Sequence, residues 1–149
     1  MIIIKPHHFL DIIKLYGAGI ETFVPDENMH HDFYKVANEI IHDKNTKLHL
    51  TILADDICGP CRCHQEEKCI DELHIIEGYH YKDDYNRTLD QRMIDYFHLD
   101  INHIYTAHEL CFIYDKHKEN IMKVWKEEED GKTKQRYNFF CLGAQKYLK

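Results

Sequence analysis

Proline and glycine are scarce in this chain of 149 residues, at three and six, and there is a single tryptophan. No low-complexity tract, internal repeat or convincing linker is present, so the length suits one compact domain. No stretch reaches the roughly 18–20 apolar residues of a membrane span. The opening Met1-Ile2-Ile3-Ile4 is broken at once by Lys5 and Pro6, and reads as neither signal peptide nor anchor. Positive charge is also short: 19 basic against 26 acidic side chains leave a net charge of -7. That balance argues against a nucleic-acid module built on phosphate neutralisation. There is no P-loop, no G-x-G-x-x-G and no G-x-S-x-G, so nucleotide and serine-hydrolase readings have no motif. The expected setting is the cytoplasm. The expected partners are a small-molecule substrate or a redox partner, not nucleic acid or membrane.

What is present is an ordinary globular composition with two unusual counts. Apolar residues at 44% and charged residues at 30% exclude wholesale disorder. The periodicities predict an α+β fold, a mostly helical single domain over residues 1–149 with a small two-stranded β element. Ile2–Ile4 reads as a strand, and Pro6 opens a helix whose stripe is Phe9, Ile12, Ile13 and Tyr16, ending at Gly17 or Gly19. A second helix carries Phe33, Val36, Ala37, Ile40 and Ile41. Lys47–Ala54 alternates as a strand, and a loop runs from Asp55 to about Asp71. Asp84–Phe97 reads as a helix with Asp83 or Asp84 at its N-cap. Thr106 and Glu109 match a capping box, opening one helix that buries Leu110, Ile113, Tyr114, Ile121 and Trp125. Lys126–Arg136 reads as a solvated turn around Gly131, before a last helix with Tyr137, Phe140, Cys141, Ala144 and Leu148.

The unusual counts are six cysteines and thirteen histidines. Cys58, Cys61, Cys63 and Cys69 fall within twelve residues, in Cys58-Gly59-Pro60-Cys61-Arg62-Cys63-His64 and then Cys69. Disulfides that staple a secreted fold are spread along the chain, whereas bunched thiols serve metals or redox chemistry. A C-x-x-C spacing with Gly and Pro between lets two thiolates turn toward one centre. Soft thiolates select zinc, copper(I) or iron–sulfur clusters over magnesium or calcium. Zinc would take Cys58, Cys61 and Cys69 with Cys63 or His64. A [4Fe-4S] cluster would use the same cysteines, with its fourth corner from Cys63 or elsewhere. Spacing alone leaves both metals open.

Pro6-His7-His8-Phe9-Leu10-Asp11-Ile12, followed by Ala54-Asp55-Asp56-Ile57-Cys58-x-x-Cys61, resembles a family of small bacterial and archaeal proteins. This is the domain-of-unknown-function 1284 family, regarded as iron–sulfur binders. The similarity runs from about Lys5 to Leu99 and takes in Tyr85-Asn86 and Leu89-Asp90-x-Arg92. The resemblance implies an iron–sulfur cluster on Cys58, Cys61 and Cys69. The family pattern carries cysteine where this chain has Asp11. The fourth ligand is then Cys63, or Asp11 or His7, or an exogenous group on an open iron. An open iron acts as a Lewis acid and implies an enzyme of small-molecule or sulfur chemistry, with His7, His8 and Asp11 beside it as candidate catalytic groups. The alternative is a structural zinc site in a binding or adaptor module.

His7 and Asp11 stand four residues apart on one helix face, as a metal or acid–base pair requires. Their spacing is not the longer HHxxxD pattern of acyltransferases. Asp55 and Asp56 suit fixing the loop or orienting ligands. Cys111 and Cys141 lie on apolar helical faces and read as core cysteines. The remaining histidines share no spacing that compels metal binding.

Overall fold

The computed structural model describes residues 1–25, 32–57, 64–65, 68–69 and 82–149; the side chains of residues 64, 65, 68, 69, 82 and 83 are not described. Strand β1 (Ile2–Ile4) leads into α1 (Pro6–Gly17), where Pro6 occupies the first turn and wastes no backbone N–H. Next come α2 (Phe33–His42) and β2 (Lys47–Leu50). Two-residue strands β3 (His64–Gln65) and β4 (Lys68–Cys69) form an antiparallel ribbon, and α3 (Lys82–Tyr96) follows. After α3 come β5 (Ile104–Thr106), α4 (Ala107–Lys116), a 3₁₀ turn at Lys118–Asn120, α5 (Ile121–Val124) and α6 (Asp130–Tyr147).

The fold is α+β and mostly helical, as expected, but the sheet has three strands in the order β1-β2-β5. β1 and β2 run parallel with Ile2 opposite Leu48 and Ile4 opposite Leu50; β5 adds antiparallel with Tyr105 opposite Leu48. Ile2, Ile4, Leu48 and Leu50 are buried on one face, while Ile3 points outward. β5 escaped the sequence reading because three residues are too few to show a period of two. β2 stops at Leu50, four residues short of the expected Ala54. There the Leu53 N–H turns back to the Thr51 hydroxyl (3.1 Å), a local bond that competes with the ladder.

Three helical expectations also shift. α3 begins at Lys82, so Asp84 lies inside its first turn and is not its cap. The capping box at Thr106 and Glu109 forms as expected, with both reciprocal bonds at 3.1 Å. The helix it opens nevertheless ends at Lys116, and Ile121 and Trp125 are placed by the 3₁₀ turn and α5. The charged run Lys126–Arg136 is not all solvated turn: α6 starts at Asp130, Thr133 is buried, and Arg136 stacks on Trp125 at 4.3 Å.

One continuous core joins these elements. Tyr114 stands edge-on to both Phe9 (5.2 Å) and Phe97 (5.0 Å), and its hydroxyl donates to the Pro6 carbonyl at 3.0 Å. Such pairs add about 0.5–1.5 kcal/mol each beyond their burial. α1 crosses α6 at Gly17 and Gly143, and a Cβ on either glycine would overlap a backbone carbonyl oxygen of the other helix. Among the described residues, no helix is long and apolar enough to cross a membrane.

Candidate functional site

The N-terminus of α1 lacks a capping side chain of its own, because Lys5 occupies the N-cap position. Two carboxylates from distant segments take over that role. Asp90 of α3 is wholly buried, and its Oδ1 accepts from both the His7 backbone N–H and His7 Nδ1, each at 2.8 Å. Asp55, just beyond β2, accepts from the Lys5 N–H (2.8 Å) and from His8 Nδ1 (2.7 Å) through Oδ2. Its Oδ1 receives the Ile57 N–H at 3.2 Å. Asp56 ties the same segment to β1: its Oδ2 accepts from the Ile3 N–H at 2.8 Å, and its N–H donates to the Ile3 carbonyl at 2.9 Å. Negative charge at the positive end of a helix is favourable in its own right.

The outcome is a pair of carboxylate–histidine couples side by side, with ring centroids 4.3 Å apart. A carboxylate oxygen only accepts, so each Nδ1 carries the hydrogen, and a neutral ring then presents its Nε2 lone pair. Among the described residues neither Nε2 has a hydrogen-bond partner. Burial works against the His7 imidazolium. The charge and hydrogen bond of Asp90, helped by Asp11, outweigh burial and the opposing Lys5, so His7 titrates above the ordinary histidine value of 6.5. Asp90 Oδ2 is buried and has no hydrogen-bond partner among the described residues.

Of the expected site residues, His7 and His8 are therefore brought together, and Asp55 joins them. Asp11 is near enough for its charge to reach His7, but its carboxylate lies 3.5 Å from Lys14 Nζ. Cys58, Cys61 and Cys63 lie outside the described residues, and so does most of the expected loop from Asp55 to Asp71. Cys58 follows Ile57 directly in the chain, one residue beyond the knot that Asp55 ties. Cys69 ends β4, which lies beside α3, the helix that supplies Asp90. Tyr85 and Arg92 do different work from Asp90. The Tyr85 hydroxyl donates to Glu128 (2.8 Å), and Arg92 meets the Val124 carbonyl (2.8 Å) and forks onto Glu127 (2.6 and 2.5 Å). They fasten α3 to the segment after α5; Asn86 is half-buried on the same helix.

Asp90 is the partner that entered the sequence reading only as part of the Leu89-Asp90-x-Arg92 motif. Its signal was position: an acid between Leu89 and Met93, inside the apolar stripe of α3. Cys111 is a core residue, its thiol pushed up by burial, and Cys141 is half-buried; both are free. His49 binds the Ile101 carbonyl at 2.8 Å, and His42, His98, His103 and His108 are exposed. His30, His31, His74 and His80 lie outside the described residues. Among the described residues, no three His, Cys, Asp or Glu side chains are grouped to hold a metal ion. Comparison with family models, with curated proteins and with solved structures returned no match.

Proposed function

We propose that this is a metal-centre protein in which Cys58, Cys61, Cys63 and Cys69 supply thiolates and the His7–His8 pair flanks the centre. The observation that carries the reading is the His8 Nδ1–Asp55 Oδ2 bond of 2.7 Å, three residues before Cys58. It ties the orienting carboxylate of a histidine to the root of the cysteine-rich segment. The donor types fit: thiolates, together with imidazoles whose Nδ1 is held by a carboxylate, suit iron or zinc and not magnesium or calcium. An iron–sulfur cluster, best a [4Fe-4S] cluster, agrees with the thiolate spacing and with the family resemblance. Bound there, it would supply electron transfer or, with one iron open, Lewis acidity. The chain's own part is to hold His8 by Asp55 and His7 by Asp90. His7, with its Nδ1–H on Asp90, holds a second proton at Nε2 more tightly than an ordinary histidine despite burial, and His8 offers Nε2 to a substrate proton or to a ligand. This makes an enzyme of small-molecule or sulfur chemistry the sharper form of the reading.

Structural zinc is the second reading, favoured by the same carboxylate–histidine arrangement, which recurs around zinc. Anaerobic purification followed by iron, sulfide and zinc analysis separates the two. Brown protein absorbing at about 400 nm, with iron and sulfide present, supports the cluster; colourless protein with one zinc supports the alternative. Cys58→Ser, Cys61→Ser and Cys69→Ser are each expected to abolish metal retention, while Cys141→Ser leaves it intact. Undiminished metal in all three loop variants overturns both readings. Cys63→Ser and Asp11→Ala then locate the fourth position. If Cys63→Ser loses the cluster and Asp11→Ala keeps it, no iron is open and the enzyme form fails.

A further inference from the structure

A cleft between α1 and α6 lies about two helical turns from the histidine pair. It encloses about 220 Å³ and is lined by Lys14 and Leu15 of α1, by Ala18 at that helix's C-cap, and by Lys132, Arg136 and Phe139 of α6. In a chain of net charge -7, three cations meet at one small opening. Among the described residues the lining holds no acid; Asp11 and Glu128 reach its rim, 3.5 Å from Lys14 and Lys132 respectively. Glu128 is already shared, since it also accepts the Tyr85 hydroxyl (2.8 Å) and Arg136 Nη2 (3.2 Å).

Arg136 is the unusual member. Its side chain is nine-tenths buried, with the guanidinium stacked 4.3 Å over Trp125. Nε and Nη1 are both buried and meet no acceptor among the described residues. Each such orphaned donor costs about 1–3 kcal/mol, and folded proteins normally supply a partner. Stacking on Trp125 fixes the plane of the fork, and a planar fork is the geometry that recognises carboxylate and phosphate once its unpaired N–H groups turn to the cleft.

We propose that this cleft is a binding site for a small oxyanion, a phosphate or carboxylate group, anchored by Arg136 and closed over by Lys14 and Lys132. Leu15, Ala18 and Phe139 give it an apolar wall against which the uncharged part of a ligand can rest. The site is independent of the metal reading, because it uses none of the cysteines and neither histidine.

The test is titration of the whole protein with inorganic phosphate at constant ionic strength, balanced with sodium chloride and followed by thermal midpoint and phosphorus NMR line width. A saturable rise in midpoint that chloride does not give is expected. Lys14→Ala combined with Lys132→Ala is expected to weaken phosphate binding roughly tenfold or more, the loss of two charged contacts. Arg136→Gln is expected to abolish the response; if that variant does not fold, the lysine pair decides. Malonate acting in place of phosphate supports the site and assigns it to carboxylates. If neither anion exceeds chloride, solvent completes Arg136 and the proposal fails. Phosphate binding unchanged by the double lysine variant also overturns it.

Discussion

The two ends of α1 are held by opposite means. At Pro6–His8 the helix is gripped by side-chain charge: Asp90 and Asp55 take two backbone N–H groups and two imidazoles. At Gly17 it is gripped by shape, its backbone lying directly against that of α6 at Gly143. Apolar close packing stabilises without leaving a polar group behind. A buried ion pair gives little net stability, because desolvation offsets most of the attraction. A chain that needed only to anchor α1 could have packed both ends alike. Charge at one end is thus the feature on which the proposed chemistry rests, and packing at the other keeps the charged end in place.

Removing one partner at each end exposes the difference. Asp90→Ala leaves the His7 ring and backbone N–H buried without an acceptor and is expected to cost about 3–5 kcal/mol, read as a lower urea midpoint. Asp90→Asn, which keeps an oxygen for the N–H, should recover part of that loss. A cost below about 1 kcal/mol for Asp90→Ala would show that solvent reaches His7 and that the charged end is not closed. Gly143→Ala is next, at about 3 kcal/mol, since the new methyl would overlap the Ile13 carbonyl oxygen and force two backbones apart. It should lower stability without altering metal content. Equal metal loss in Gly143→Ala and Asp90→Ala would mean that the two ends are not separable.

Most of the shape-held end was legible in the chain. Phe9, Ile12 and Ile13 recur at helical spacing, Phe140 and Ala144 do the same, and all five are buried. The glycine contact was not legible, because Gly17 reads locally as a helix stop and nothing near it points to Gly143, far along the chain. The charge-held end was half legible. His7, His8 and Asp55 stand out as polar residues beside apolar runs, whereas their pairing spans 47 residues for His8–Asp55 and 83 for His7–Asp90. Spacing rules reach one or two turns of helix; pairings across the fold depend on how α3 docks. Short strands suffer likewise: β5 exists because β2 offers an edge to Ile104–Thr106.

The smallest expected effect is a pH dependence confined to the charged end. His7 binds its proton more tightly folded than unfolded, because Asp90 and Asp11 outweigh burial and Lys5. A raised pKa contributes stability that is fully present below the unfolded value of 6.5 and is lost as pH rises through the higher folded value. Wild-type protein should thus lose urea resistance as pH rises above 6.5 by more than the rest of its groups explain. Asp90→Asn removes the charge that holds this proton and should flatten that part of the slope, while Gly143→Ala lowers the curve without changing its shape. Subtracting the Asp90→Asn profile from the wild-type one isolates the His7–Asp90 pair, since the other titrating groups are common to both proteins. Identical slopes would show that Asp90 sets the position of the ring and not its proton. The charged end of α1 would then be held, like the other, by geometry alone.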